Sequence, residues 1–406
     1  VLITTLSLVL GLMACGDKGD DTGTTPDGGA HDGGAGDGGG SDGGGSDGGS
    51  SDGGSTVTVS AFCESISPDP ATVTDFYEDN PTYTDEADDI LPTATPDEMG
   101  MDGRMLDAAA EKLGGIPVTW SFLVLRHGSV VAEHYFNGSD STASNNVHSA
   151  SKSILGALTG IAIDEGVLSG LDQPVAELLP DLFEGLSADK QAISVEQLLT
   201  MTSGLRWVED ETEYDMQKSD DWLAAYLAQP LDHAPGTYFE YSTGSTHLLG
   251  AALSSAAGVS YCDYAHDHLL SSLSIEAEHW GRDPQGWFSA GFNVYLTPRE
   301  LARFGQAMLD GGVWDGTQVV PADWVDASFQ HHQDAGMEYG YGYLWWLWEP
   351  LEMTIPIAWG YGGQLVYVVP DYDIVMVVTT NTADYDPSDF DAGDILMGFV
   401  IDAVYK

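Results

Sequence analysis

Between positions 16 and 56 the chain offers almost nothing to bury. This tract repeats Asp-Gly-Gly and Ser-Asp-Gly-Gly, so it cannot recover the entropy lost on ordering and reads as a flexible spacer. By the square-root scaling for Gly-rich chains, roughly 40 such residues span about 35 Å. A calcium-binding β-helix of Gly/Asp repeats would carry a large apolar residue in each unit, and none occurs here. Whatever folds must therefore lie from position 57 onward, a length that suits one large domain or two closely packed ones. With 43% hydrophobic and 10% aromatic residues, the chain has ample material for a core.

Twelve Lys and Arg stand against 64 Asp and Glu, a formal net charge of -52. Phosphate recognition needs clustered cations, so a nucleic-acid partner is excluded. Only about ten of the acids fall in the spacer, and the folded part carries most of the charge. Such a surface fits a high-salt habitat, where self-repulsion is screened within a few ångström, or a general drift toward acidity after export; both stay open. Cys63 and Cys262 could pair in an exported protein, but two isolated cysteines do not establish a bridge.

Residues 57 to 95 are rich in Pro, Asp and Thr and read as an irregular lead-in. Helical spacing runs from Met105 to Leu113, then a buried strand from Ser121 to Arg126, a turn at His127-Gly128 and a second strand from Val130 to Phe136. A buried helix is expected from Ser149 to Gly166. Further helical stretches run over Pro174–Leu179, Val195–Met201, Trp222–Leu227, Thr246–Ala257 and Arg299–Leu309. Two β-branched runs, Gln364–Val369 and Ile374–Thr379, flank a turn, and a last helix covers about Asp391 to Val404. Strands at both ends with helices between them predict a sheet assembled from both termini around a helical insert.

The N-terminal run from Val1 to Cys15 is apolar but too short to span a bilayer. Its end, Leu12-Met13-Ala14-Cys15, resembles the lipobox of a bacterial lipoprotein signal, in which the cysteine takes a diacylglycerol and becomes the mature N-terminus. An ordinary secretory segment with a chance cysteine is the alternative.

The most informative word is His148-Ser149-Ala150-Ser151-Lys152-Ser153, at the mouth of the expected buried helix. Ser149 and Lys152 are three apart, so their side chains share a face and can meet. A serine hydroxyl needs a base, and lysine serves only if burial or positive neighbours lower its pKa. Ser-x-x-Lys alone is a weak signal, equally a helix cap beside a surface lysine. Here the lysine lies within an apolar helix of a chain that has few lysines.

Two further stretches add context: Pro235 to Thr243 ahead of a helix, and Trp359-Gly360-Tyr361-Gly362-Gly363-Gln364 opening a strand. Together with Pro174 to Pro180, Gln197 to Leu205, Leu296 to Phe304 and Gly311 to Gly316, they resemble the serine β-lactamase-like hydrolases. That family comprises class C β-lactamases, DD-peptidases, esterases and 6-aminohexanoate-dimer hydrolases. The resemblance covers about residues 95 to 406. It implies Ser149 as the acylated nucleophile, Lys152 as its proton partner and Tyr241 as a phenol sharing the general-base role. It also implies an oxyanion hole from the backbone N–H groups of Ser149 and Gln364.

Two departures bear on the substrate. The family's usual Tyr-x-Asn is Tyr241-Ser242-Thr243 here, which loses an amide. The usual Lys-Thr/Ser-Gly is Tyr361-Gly362-Gly363, which loses a cation that would hold a β-lactam carboxylate. Neutral or cationic esters and amides are therefore expected, with Tyr361, Gly362 and Gly363 at the substrate. Tyr214 and Trp287 are candidate acyl-pocket walls, though loop or core packing accounts for either. His266-Asp267-His268 and His331-His332 lack the companion ligands of a zinc site, so no metal or other cofactor is expected. Trp345, Trp346 and Trp348 read as core.

The expected organisation is a signal with lipobox over 1–15, a spacer over 16–56, the lead-in over 57–95 and a hydrolase domain over 96–406. The fold expected of that domain is α/β plus all-α, of β-lactamase/transpeptidase-like type. It has an antiparallel sheet flanked by helices, a helical insert at roughly 155–285, and the active site between the two. The expected activity is cleavage of a small ester, amide or peptide by a protein held to a bacterial membrane through lipid on Cys15. A cell-wall DD-peptidase or class C-type β-lactamase is the alternative within this chemistry, and a catalytically silent surface binding protein the alternative outside it.

Overall fold

The computed structural model describes residues 57–66, 82–83, 88–336, 338–382 and 392–405. The expected signal with Cys15, the expected spacer and part of the expected lead-in lie outside the described residues. The main sheet has eight strands: β1 (Thr119–Arg126), β2 (Ser129–Tyr135), β3 (Gln333–Gly336), β4 (Tyr339–Tyr341), β5 (Trp346–Trp348), β6 (Ile355–Gly360), β7 (Gln364–Val369) and β8 (Ile374–Thr380). Their order is β2-β1-β8-β7-β6-β5-β4-β3, with every pair antiparallel. The first two strands come from one end of the domain and the last six from the other, as the sequence predicts.

Alternation along these strands feeds two cores. Leu123 and Leu125 of β1, Val366 and Val368 of β7, and Val375 and Val377 of β8 join one core. Phe122 and Val124, Leu365 and Tyr367, and Met376 and Val378 join the other. A period of two in strands buried on both faces requires this split. The β1–β2 connection is the expected two-residue turn: His127 and Gly128 have φ of 49° and 73°, and Arg126 pairs with Ser129. Positive φ at both positions is what a tight hairpin demands.

Five helices are the longest among the described residues. On one face lies α1 (Gly103–Gly114), capped by Asp102, whose apolar side enters the second core. On the other face α5 (Pro298–Leu309) starts from a capping box of Thr297 and Glu300. Between the sheet's two halves come α2 (Ser151–Asp164), α3 (Glu209–Gln217), α4 (Thr243–Ala257) and shorter helical turns. Two expectations shorten here: Pro174–Leu179 holds only a 3-10 turn at Val175–Glu177, and Val195–Met201 a helix over Val195–Leu199. The last helix begins at Ala392 and passes into a π-helical turn at Leu396–Ile401.

A smaller sheet, which sequence patterning did not reveal, pairs Ala143–Asn146 with Val294–Leu296, flanked by Thr82–Tyr83 and His279–Trp280. It matters because Ala143–Asn146 runs straight into the Ser149 turn. Cys63 and Cys262 form a disulfide with Cα atoms 6.0 Å apart across 199 residues, joining Ala61–Ile66 to Tyr261–Ala265. In the loop-entropy account, closing so long a loop stabilises the fold by about 5 kcal/mol. No helix among the described residues is long and apolar enough to cross a membrane.

Candidate active site

The Ser149 turn is held by one backbone bond and one side-chain bond. Val147 N–H donates to Val294 O at 2.9 Å, and His148 N–H donates to the Asn146 side chain at 2.9 Å. His148 has φ of 46°, a left-handed conformation that is costly for a non-glycine residue and forces the chain to turn sharply into the helix. Ser149 sits in a 3-10 turn, His148–Ala150, that runs directly into α2. Residues three apart eclipse each other in 3-10 geometry, so the expected meeting of Ser149 and Lys152 survives this change of helix type.

Ser149 is partly exposed, while Lys152 is 1% exposed. The Lys152 Nζ lies 2.8 Å from Ser149 Oγ, 2.8 Å from Thr243 Oγ1 and 3.0 Å from the Gly291 carbonyl. Gly291 must be glycine, since a Cβ there would stand 2.2 Å from Thr246 Oγ1 and 3.3 Å from the Lys152 Nζ. Burial pushes the Lys152 pKa down, and the carboxylates of Glu209 and Glu213 oppose it.

Tyr241 directly precedes the α4 cap Ser242, and its ring centroid is 5.1 Å from the Lys152 Nζ. Burial, with Tyr341 and Glu209 nearby, holds the Tyr241 phenol well above its ordinary pKa, against a hydrogen bond with Ser149. Burial therefore acts on the two groups in complementary ways: it favours the amine of Lys152, a base, and the phenol of Tyr241, an acid. The Tyr241 ring lies 5.2 Å from Trp346, which also meets Tyr339, Tyr341 and Trp359. Trp345 is fully buried as expected, but Trp346 is partly exposed and belongs to the wall around Tyr241.

The hairpin after β6 closes the other side. A Cβ on Gly360 would stand 2.2 Å from Val147 O and 3.2 Å from Ala150 N, so only glycine lets this strand end reach the Ser149 turn. Gly362 and Gly363 have φ of 77° and 103°. The partly exposed Tyr361 sets its ring 5.7 Å from His148. Gln364 has no exposed surface: its amide donates to Thr380 O at 2.8 Å, and Thr380 N–H donates back to its Oε1 at 3.3 Å. The residue of this hairpin that abuts the Ser149 turn is therefore Gly360, followed by the partly exposed Tyr361.

Neither candidate pocket wall joins this group. Tyr214 is 53% exposed, with the Lys218 ammonium 3.5 Å from its ring centroid. Trp287 lines a separate groove of about 630 Å³ whose walls include Leu178, Leu223 and Arg282, and none of Ser149, Lys152 and Tyr241 lines it. His268 bonds to Glu165, and His331 lies between Glu349 and Asp334. Among the described residues no group of three His, Cys, Asp or Glu side chains could hold a metal.

Sequence reading missed two participants. Thr243, noted only for the amide it lacks, contacts Lys152 directly and donates its hydroxyl to Glu209. Glu209 also accepts from the Trp207 indole and, at 3.0 Å, from Thr243 N–H. No textual signal separates Glu209 from the acidic residues that follow it.

Comparison with known proteins agrees with this fold. The Beta-lactamase family profile matches residues 107–396. The 6-aminohexanoate-dimer hydrolase of Paenarthrobacter ureafaciens is 28% identical over 342 residues, covering 73% of this chain and 84% of that protein. Among solved structures, a proposed 6-aminohexanoate-dimer hydrolase of Bacillus anthracis superposes with a TM-score of 0.62 at 20% identity, covering 81% of this chain and 91% of its own. EstCE1, a hydrolase with promiscuous acyltransferase activity, gives 0.59 at 18% identity over 75% and 98%. At these identities the two structures establish a shared fold.

Proposed function

The chain belongs to the beta-lactamase family, and from that premise we propose that it is a serine hydrolase cleaving ester or amide bonds through an acyl-Ser149 intermediate. One observation carries the reading: a buried lysine nitrogen stands 2.8 Å from the hydroxyl of a partly exposed serine. Ser149 Oγ attacks the substrate carbonyl while its proton passes to Lys152. The oxygen that gains charge is met by the N–H of Ser149 and by one from the Gly360–Gln364 hairpin. Tyr361 is the better donor than the fully buried Gln364, because it follows the glycine that touches the nucleophile turn. Tyr241 protonates the leaving group and regains its proton from Lys152. Water then attacks the acyl carbonyl, its proton is taken by the same pair and passed to Ser149 Oγ as the acyl–Oγ bond breaks, and the free acid leaves.

The hairpin from Trp359 to Gln364 supplies no cation, and the chain is strongly acidic, so an anionic β-lactam is a poor fit and neutral or cationic esters and amides a good one. The name of the Paenarthrobacter relative supports the amide arm of this reading. Export and lipid attachment at Cys15, with the spacer holding the domain off the membrane, complete the proposal.

The test incubates the protein with p-nitrophenyl butyrate and, separately, with nitrocefin, followed by intact mass. A butyryl adduct that vanishes in Ser149→Ala, with nitrocefin untouched, is the expected result. Rapid nitrocefin turnover would move the assignment to penicillin-recognising chemistry, and no adduct with either reagent would leave a binding protein.

A further inference from the structure

The three neighbours of the Lys152 nitrogen differ in what they can offer. The Gly291 carbonyl can only accept a hydrogen bond. The Thr243 hydroxyl has one hydrogen, and that hydrogen goes to Glu209, a carboxylate that can only accept. Toward Lys152, Thr243 is thereby left with lone pairs alone. A neutral amine has two N–H bonds and one lone pair. With both N–H bonds spent on Gly291 and Thr243, the lone pair is left pointing at the third neighbour, Ser149 Oγ, at 2.8 Å.

Glu209 is itself anchored. The Trp207 indole and Thr243 N–H both donate to its second oxygen, so the carboxylate cannot swing away from the hydroxyl it orients. We propose that Glu209 is a positioning residue for acylation: by committing the Thr243 hydrogen it turns the Lys152 lone pair onto Ser149, and it supplies the counter-charge when Lys152 takes the serine proton. The arrangement is a nucleophile, a base and an orienting acid, with a threonine hydroxyl placed between the last two. It rests on the reading of Ser149 and Lys152 given above. One proton moves, from Ser149 Oγ to Lys152 Nζ, and the Thr243 hydrogen stays bonded to Thr243 throughout.

The titratable groups facing Lys152 are Glu209 and Glu213 from α3 and Tyr241 from the segment before α4, with Tyr341 of β4 behind Tyr241. Both carboxylates raise the affinity of Lys152 for a proton against the effect of burial. Removing the Glu209 charge should therefore let Lys152 lose its proton at lower pH while making it a weaker, misdirected base. A glutamine amide at 209 can donate to Thr243, which frees the hydroxyl hydrogen to turn onto the lysine lone pair.

The test measures kcat/KM for p-nitrophenyl butyrate against pH in the full chain. Glu209→Gln should lower the plateau at least about tenfold and move the acid limb to lower pH, while Thr243→Val lowers the plateau similarly and Thr243→Ser stays within about threefold. A purely structural Glu209 would lower the rate without moving the limb, and that result, or a plateau within about threefold of wild type, overturns the proposal. Should Glu209→Gln fail to fold, the Thr243 pair decides, since equal rates in Val and Ser overturn it as well. A wild-type protein without any Ser149 adduct would sink the hydrolase reading too, whereas an adduct with unmoved variant profiles sinks only this inference.

Discussion

Two helices act on the same nitrogen atom, one by carrying it and one through the charge of its carboxylates, and they have little else in common. In α2 every residue from Ser151 to Ala162 is buried, and Gly156 and Gly160 let it pack against Tyr343 and Trp324. In α3 the sequence from Glu209 to Gln217 is mostly acidic and polar, Tyr214 faces solvent, and Glu213 and Met216 are buried. Yet α2 supplies Lys152, and α3 supplies the two carboxylates that face it. The comparison separates two jobs. The base sits on an element whose apolar packing fixes its position, and burial there favours its neutral form. The acid that tunes it sits on an element tied down by polar bonds, among them Val208 N–H to Thr212 Oγ1 at 3.0 Å and the Trp207 indole to Glu209.

Removing the base should therefore give the largest effect. Lys152→Ala is expected to lower kcat/KM for an activated ester by about a thousandfold or more, with the fold retained by circular dichroism. A loss below tenfold would mean that another group deprotonates Ser149. In the wild type the Lys152 pKa is depressed by burial, so its basic form appears below the ordinary lysine range. The rate should accordingly rise with pH along a limb centred below 10.5, the value of an unperturbed lysine. A limb at or above that value would show that burial does not govern the group.

The packing side of the comparison can be broken without touching the chemistry. A Cβ at Gly160 would stand 2.2 Å from the Trp324 ring, whose indole N–H donates to Gly156 O at 2.9 Å. Gly160→Ala should cost about 1–3 kcal/mol in urea unfolding, while the rate per folded molecule remains near normal. Unchanged stability would show that Trp324 relaxes freely and that α2 is less rigidly seated than its burial suggests.

This division also explains what could be read from the text. Runs such as Ile374–Thr380, and the apolar helix behind Ser149, declare themselves because burial on all sides demands apolar residues in order. The helix that carries Thr243, the hydroxyl against Lys152, starts at that residue, three positions before the expected Thr246, because Ser242 caps it. Strands β3 to β5 hold only three or four residues each, too few for a period to register. Glu209 was illegible for a different reason. Its role exists only through a hydroxyl 34 positions away, and nothing local marks it among its acidic neighbours. The Cys63–Cys262 bridge, across 199 residues, was likewise undecidable until both helices were placed.

The smallest effect is expected at the exposed position of the polar helix. Tyr214 lies on α3 between Glu213, which faces Lys152, and residues open to solvent, and its ring is covered by the Lys218 ammonium. A cation over an exposed ring contributes about 0.5–1 kcal/mol, so Tyr214→Ala should change stability by no more than about that. Because the ring is turned toward Lys218 and solvent, kcat/KM should stay within about twofold of wild type for both a butyryl and a longer acyl ester. A selective loss with the longer ester would mean that α3 swings over the cleft during turnover and that Tyr214 does line the acyl pocket. The polar helix would then be a moving part, and holding it by polar bonds, which can be exchanged, would have a purpose that the packed helix cannot share.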